Sequence, residues 1–274
     1  MAVERIHWED LPARARWEVE TKTGTVYSTE TVSEGLNSAI AAILTTETGR
    51  VFVKGLHRDY PRRWTQDREA AINSAISHLS PRLLWRVEDE WDLLGFEVVD
   101  GRHADYTPGS ADLPLLVSTM ADLGKVPCPD LPVKLAEQRW ESYVSDPAYV
   151  RLFEGDRLLH TDYNPVNVLI SDGRALLIDW AWPTRGAGWI DPACLIIRLI
   201  AGGHTAAQAE VVVHAHAFRG LRASTPMEVP RSSATRRCRC RRPAPARCLS
   251  ASPRPRSTRR RWGCVWGCCR MCCR

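Results

Sequence analysis

The stretch His160-Thr161-Asp162-Tyr163-Asn164-Pro165-Val166-Asn167, with Asp179-Trp180 behind it, decides how this chain is read. Leu158-Leu159 leads into it as a short apolar run, and Val168-Leu169-Ile170 leads out. Asp172-Gly173 is a tight hairpin turn, so Val168–Ile170 and Ala175–Asp179 read as two strands joined by it. A polar loop therefore sits between apolar strands, with Asp162 and Asn167 in the loop and Asp179 ending a strand. The pattern offers three oxygen-bearing side chains.

Each of the three has a use. Asn167 and Asp179 can hold Mg²⁺ against phosphates, because Mg²⁺ prefers a few protein oxygens completed by phosphate and water. Asp162 is left to accept a proton from an attacking hydroxyl or amine. Taken singly, each residue is an ordinary turn or cap residue; the ordered set carries the reading.

The N-terminal part supplies two more members. Val26–Thr31 and Ser38–Thr45 read as strands, and Glu47-Thr48-Gly49 turns the chain into Arg50–Lys54, whose Val51-Phe52-Val53 core is strongly β-preferring. A helix is predicted over Gln66–Leu79, with Thr65 as N-cap and Pro81 as its stop. Its apolar stripe is Ile72, Ile76 and Leu79, and Glu69 falls on that same face. A carboxylate there is costly unless a cation meets it. Lys54, ending the preceding strand, is that cation.

Leu93–Val99 reads as a further strand. Helices are predicted from Ser110 to Leu123, over 132–144, from Asp191-Pro192 to Ala201, and over Thr205–Phe218. Asp191 reads as a helix cap or a substrate contact. Trp180, Trp182 and Trp189 read mainly as core residues, with lining of an acceptor pocket as their other use. Cys128 and Cys194 lack any activating motif.

The ordered set Lys54, Glu69, Asp162, Asn167 and Asp179 resembles the aminoglycoside phosphotransferase family of the protein-kinase-like superfamily, over roughly residues 25–220. The resemblance implies an α+β, two-lobed protein-kinase-like fold: a small β-rich N-lobe (1–100) and a mainly helical C-lobe (101–230). It implies Asp162 as catalytic base and Asn167 and Asp179 as metal ligands. Lys54 would reach the nucleotide phosphates, paired with Glu69. Gly35 and Asn37 stand in the turn that would cover the phosphates, and Glu97 and Val98 in the interlobe hinge whose backbone meets adenine. ATP and Mg²⁺ are the implied cofactors. The implied activity is transfer of a phosphoryl group to a hydroxyl of a small molecule, aminoglycoside-like or another alcohol.

The chain departs from protein kinases in lacking GxGxxG, in carrying Asn164 two residues after Asp162, and in following Asp179 with Trp180-Ala181. The last two departures point to a small-molecule acceptor. The alternatives are a nucleotide-binding protein without transfer activity, and a nucleic-acid-binding tail attached to such a domain.

Composition divides the chain. Residues 1–230 carry 23 basic and 32 acidic side chains, net −9, whereas 231–274 hold 14 Arg, no Lys and no acid. Eight of the ten cysteines lie between Cys238 and Cys273. An Arg/Cys/Pro/Ala mixture without periodicity is what a GC-rich gene read out of frame would give, so the tail is expected to be non-native and the C-lobe truncated. A zinc site using Cys238, Cys240 and the Cys268–Cys273 run lacks a second well-spaced pair and any histidine. A basic arm for nucleic acid or anionic lipid would use the arginines with Trp262 and Trp266, and is the rival reading. No run approaches 18 apolar residues, and Met1–Asp10 already carries Glu4, Arg5, Glu9 and Asp10. A cytoplasmic protein with no membrane partner is expected.

Overall fold

A computed structural model describes residues 3–33, 35 and 37–217. The tail 231–274, with its cysteine and arginine readings, lies outside the described residues.

The chain opens with α1 (Ala13–Thr23) and enters β1 (Val26–Thr31), β2 (Ile40–Thr46) and β3 (Gly49–His57). Then come α2 (Trp64–Ile76), β4 (Leu83–Glu88) and β5 (Trp91–Glu97). The five strands form one antiparallel sheet in the order β1-β2-β3-β5-β4. Strand periodicity sorts its two faces. Ala42, Leu44, Val51 and Val53 point to a core closed by Trp8, Leu11, Ala15 and Val19. Ala41, Ile43, Phe52 and Lys54 alternate with them and line the interlobe cleft. Lys54 lies inside β3, three residues before its end, where the sequence reading had it ending the strand.

Helix α2 begins at Trp64 and stops at Ile76, earlier at both ends than the predicted Gln66–Leu79. Thr65 is not its cap, since its hydroxyl donates back to the Arg62 carbonyl at 2.8 Å. The helix is fastened to the β4–β5 hairpin by polar clamps. Arg63 and Arg86 both grip the buried Asp92 carboxylate, at 2.9 and 2.7 Å. Arg86 also reaches Asp67 on the helix, and the Asn73 amide bridges the Pro81 carbonyl and the Leu83 N–H. Two arginines on one buried carboxylate offset its desolvation, and the clamps fix where Glu69 stands.

Beyond the sheet come β6 (Arg102–His103), α3 (Asp112–Leu123), β7 (Lys134–Leu135), α4 (Ala136–Trp140) and β8 (Arg157–Leu159). The chain continues through β9 (Val168–Ser171), β10 (Arg174–Leu177), β11 (Thr184–Gly186), α5 (Ile190–Ala201) and α6 (Ala206–Ala217). Gly101 marks the crossing into this part. A Cβ there would stand 2.6 Å from the Ile170 carbonyl oxygen, so only glycine lets the two backbones approach. Leu116, Val117 and Met120 of α3 pack with Leu195 and Leu199 of α5 around the β9–β10 hairpin, and Ile72 and Ile76 of α2 join the same core.

The helix predicted over 132–144 is broken. Lys134 and Leu135 pair in parallel with Thr184 and Arg185, so tertiary strand pairing takes residues the local pattern assigned to helix. The residues that follow make only the short α4 and a 3₁₀ turn. Asp191 is not the cap of α5, because Trp189 occupies that position and Asp191 lies buried within the first turn. Trp180 is a core residue, whereas Trp189 is 49% exposed. Ile197 and Ile200 of α5 and Val211 of α6 are also exposed. Among the described residues no helix is long and apolar enough to cross a membrane.

Candidate active site

A cleft of about 290 Å³ opens between the five-stranded sheet and the β9–β10 hairpin. Its walls are apolar, with Ala41, Ile43 and Phe52 from the sheet facing Leu169 and Ile178. Glu97 and Val98 edge it where the chain leaves β5. The Glu97 carboxylate is turned onto Arg82 at 2.8 Å, which leaves backbone as this edge's polar offering. The cleft suits a flat heteroaromatic ring.

Charge gathers at one end. Lys54 Nζ lies 2.8 Å from Glu69 and 3.0 Å from Asp179, joining the sheet, α2 and the segment after β10. Burial works against the Lys54 ammonium, but Asp179 and Glu69 outweigh it and hold its pKa above the ordinary lysine value. Burial pushes the Glu69 carboxyl up, and Lys54 offsets only part of that. Burial likewise acts to raise Asp179, but Lys54 and the Asn37 amide bring it below the usual carboxylate range. The Asn37 amide donates to Asp179 Oδ2 at 3.1 Å, so Asn37 lies directly over the charged end. Gly35 has φ +85°, a conformation that favours glycine. Arg5, from the N-terminal segment, donates to the Gly35 carbonyl at 2.7 Å and lines the cleft, a contact nothing in the local sequence announced.

The loop 160–167 is held from behind. The Asp162 N–H donates to His160 Nδ1 at 3.3 Å, so Nε2 carries the proton and donates to the Ile178 carbonyl at 2.9 Å. His160 is buried against Trp180 and has no nitrogen left for proton transfer. The Asp191 carboxylate accepts from the backbone N–H groups of His160 and Thr161, at 3.0 and 2.9 Å, and from the Tyr163 hydroxyl at 3.2 Å. Burial raises the Asp191 pKa, with those bonds opposing it. Thr161 and Asp179 have φ of 68° and 62°, left-handed values that cost non-glycine residues roughly 1–3 kcal/mol each. The network around Asp191 and Lys54 holds both. Asp191→Ala should strand these buried donors, at about 1–3 kcal/mol each. Thermal unfolding should show the loss, and nucleotide affinity should fall less than turnover.

Asp162 itself is half exposed, with Oδ1 2.9 Å from Arg198 of α5. The Asn167 amide nitrogen donates to the Asp162 carbonyl at 3.3 Å, which leaves the Asn167 amide oxygen to accept or ligate. The donor set of that oxygen and the Asp179 carboxylate matches what Mg²⁺ takes from protein when phosphates and water complete it.

Next to Asp162 lies a second group that the sequence reading did not assemble. Arg139 donates to the Thr161 and Thr184 hydroxyls, both at 2.8 Å, and lies near the Trp182 ring. Trp182 meets Trp64 of α2 edge to face at 4.8 Å, and Arg68 lies 4.2 Å over the Trp64 ring.

Solved structures share this architecture. Macrolide 2'-phosphotransferase from Brachybacterium faecium matches with TM-score 0.54 and 18% identity, over 78% of this chain and 84% of that one. Choline kinase LicA from Streptococcus pneumoniae matches with TM-score 0.57 and 15% identity, over 74% and 79% of the two chains. LicA in complex with AMP matches at 0.55 with 16% identity, over 70% and 73%. An aminoglycoside phosphotransferase from Alicyclobacillus acidocaldarius matches at 0.56 with 13% identity, over 76% and 77%. No family model and no curated protein sequence matches the chain. The fold is that of the protein-kinase-like small-molecule kinases.

Proposed function

We propose that the chain is an ATP-dependent phosphotransferase acting on a hydroxyl group of a small molecule. The observation that carries this reading is the Lys54–Glu69–Asp179 ion group closing the inner end of an apolar cleft, with Asn167 and Asp162 on the loop beside it. The architecture shared with choline kinase and the macrolide and aminoglycoside phosphotransferases supports it. That LicA is solved with AMP supports a nucleotide as the occupant of the cleft.

Each residue has a role in this reading. The apolar walls take adenine, and the backbone at Glu97 and Val98 gives it hydrogen bonds. Lys54, positioned by Glu69, binds the phosphates, and the turn at Gly35 and Asn37 covers them. Asn167 and Asp179 hold Mg²⁺, whose chemistry there is to neutralise charge on the polyphosphate. Asp162 accepts the acceptor's hydroxyl proton as its oxygen bonds to the γ-phosphorus; the bond from that phosphorus to the bridging oxygen breaks and ADP leaves. A water-poor cleft strengthens these electrostatic contacts.

The test is ADP formation across a panel of aminoglycosides, sugars, choline-like alcohols and hydroxyl-bearing amino acids. An acceptor-dependent rise in ADP, with phosphate recovered on the acceptor, is the expected result. Nucleotide binding with no acceptor-dependent turnover would favour the reading without transfer activity.

A further inference from the structure

Helix α5 meets the loop 160–167 twice. Its first turn supplies Asp191, which holds the backbone of His160 and Thr161 and the Tyr163 hydroxyl. About two turns later the same helix supplies Arg198, whose guanidinium donates to Asp162 Oδ1 at 2.9 Å. Residues at this spacing share a helix face, and Leu195 between them is buried in the core that also contains Tyr163. One face of α5 therefore holds both the backbone of the loop and the side chain of its proton acceptor.

The last torsion of an aspartate is soft, so which oxygen faces a substrate depends on what holds the other. Asp162 Oδ1 accepts from Arg198 and, at 3.3 Å, from the Asn164 N–H, whereas Oδ2 has no hydrogen-bond partner among the described residues. The backbone bond is long, and the charge-assisted contact is the firmer hold. Among the described residues Asp162 is the only acid paired with Arg198. The buried Tyr106 hydroxyl, which has no hydrogen-bond partner, feels both charges. Burial pushes its pKa up, so it stays a neutral phenol with no charge to draw the guanidinium away.

We propose that Arg198 is a positioning residue for the transfer step: it fixes the Asp162 carboxylate through Oδ1, so that Oδ2 is the oxygen that takes the acceptor's proton. The proton passes from the acceptor hydroxyl to Oδ2 as the hydroxyl oxygen bonds to the γ-phosphorus, and Arg198 keeps its own protons throughout. A planar guanidinium fixes direction as well as charge. Arg198 does not line the nucleotide cleft, so its effect falls on turnover and not on nucleotide affinity. The proposal rests on the phosphotransfer reading above, in which Asp162 is the proton acceptor.

The test is ADP release from Mg·ATP, with water and then with choline, D-glucose, L-serine and kanamycin as acceptors. It compares the native chain with Arg198→Gln, Arg198→Lys, Asp162→Asn and the double variant Arg198→Gln, Asp162→Asn. Arg198→Gln should lower kcat about ten- to hundredfold, as a misplaced catalytic group does, and leave KM for ATP within about twofold. Arg198→Lys keeps the charge without the planar fork and should recover part of the loss. With Asp162 already replaced, Arg198→Gln should lower kcat no further, because nothing is left to position. The Arg198 side chain is partly exposed, so these variants should fold, and unchanged thermal unfolding checks it. Native kcat in Arg198→Gln would overturn the proposal, as would an equal loss in both backgrounds or a loss confined to KM for ATP. Native turnover in Asp162→Asn, or no ADP from the native chain with any acceptor, would instead refute the phosphotransfer reading, and the proposal would fall with it.

Discussion

Asp162→Asn should lower phosphoryl transfer by about 10²–10⁴-fold while nucleotide affinity stays the same. The substitution keeps the shape and one oxygen of the side chain, so the loop should survive. Its main anchors, the Asp162 N–H on His160 and the Asp191 carboxylate, do not use the Asp162 side chain, and the retained amide oxygen can still accept the Asn164 N–H that Asp162 Oδ1 takes at 3.3 Å. What is lost is the ability to accept a proton. The amide also gives up the charge that Arg198 meets, but that pair is exposed enough to contribute less than about 1 kcal/mol. The stability change should therefore be small and the rate change large. Turnover equal to the native chain would remove Asp162 from the mechanism.

Lys54→Ala should have the largest effect on stability. The ammonium is buried between two carboxylates, and without it Glu69 and Asp179 face each other with no cation. Breaking a buried ion pair on one side costs about 3–5 kcal/mol, and a single domain has little more than twice that to lose. Removing Glu69 as well should restore a good part of the loss, because the deepest unpaired charge goes with it. Recovery should be incomplete, since Asp179 still lacks its cation, although Asn37 continues to donate to it. Activity should return in neither variant. Thermal unfolding of the two single variants and the double one supplies the cycle; strictly additive losses would show that Lys54 and Glu69 do not act on each other.

The parts of this molecule that were legible in sequence are those whose cause is local. The Asp172-Gly173 turn announced the β9–β10 hairpin, and the strand pairing of 168–171 with 174–177 follows it. A carboxylate on the apolar stripe of α2 demanded a cation, and Lys54 stands 2.8 Å from it. The less legible parts depend on distant partners. Helix α1 was missed because only Ala15, Val19 and Thr23 of its eleven residues are buried, too thin a stripe among charges to mark a helix. Strand β4 was missed because its burial does not alternate cleanly: Leu84 is exposed while Trp85 lies against Gly95.

The role of Asp191 could not be read from its neighbours at all. Asp-Pro at a helix start looks like a cap, yet its three partners lie about thirty residues earlier and meet it only through the fold. The same holds for Arg139 and Trp182, whose meeting with Trp64 and Arg68 depends on how the two halves close on each other. The nearest available signal was the density of Trp and Arg around residues 139–140 and 180–185, which composition alone does not place.

The central claim, that the cleft holds a magnesium nucleotide between Lys54 and the Asn167–Asp179 pair, is tested most directly by calorimetric titration with AMP-PNP, with Mg²⁺ present or removed by EDTA. The native chain should bind one equivalent, and Mg²⁺ should tighten the binding. Asn167→Ala should retain nucleotide binding but lose the tightening by Mg²⁺, and Lys54→Ala should bind weakly with or without the metal. AMP-PNP binding that is indifferent both to Mg²⁺ and to Lys54, or no binding to the folded native chain, would contradict the account.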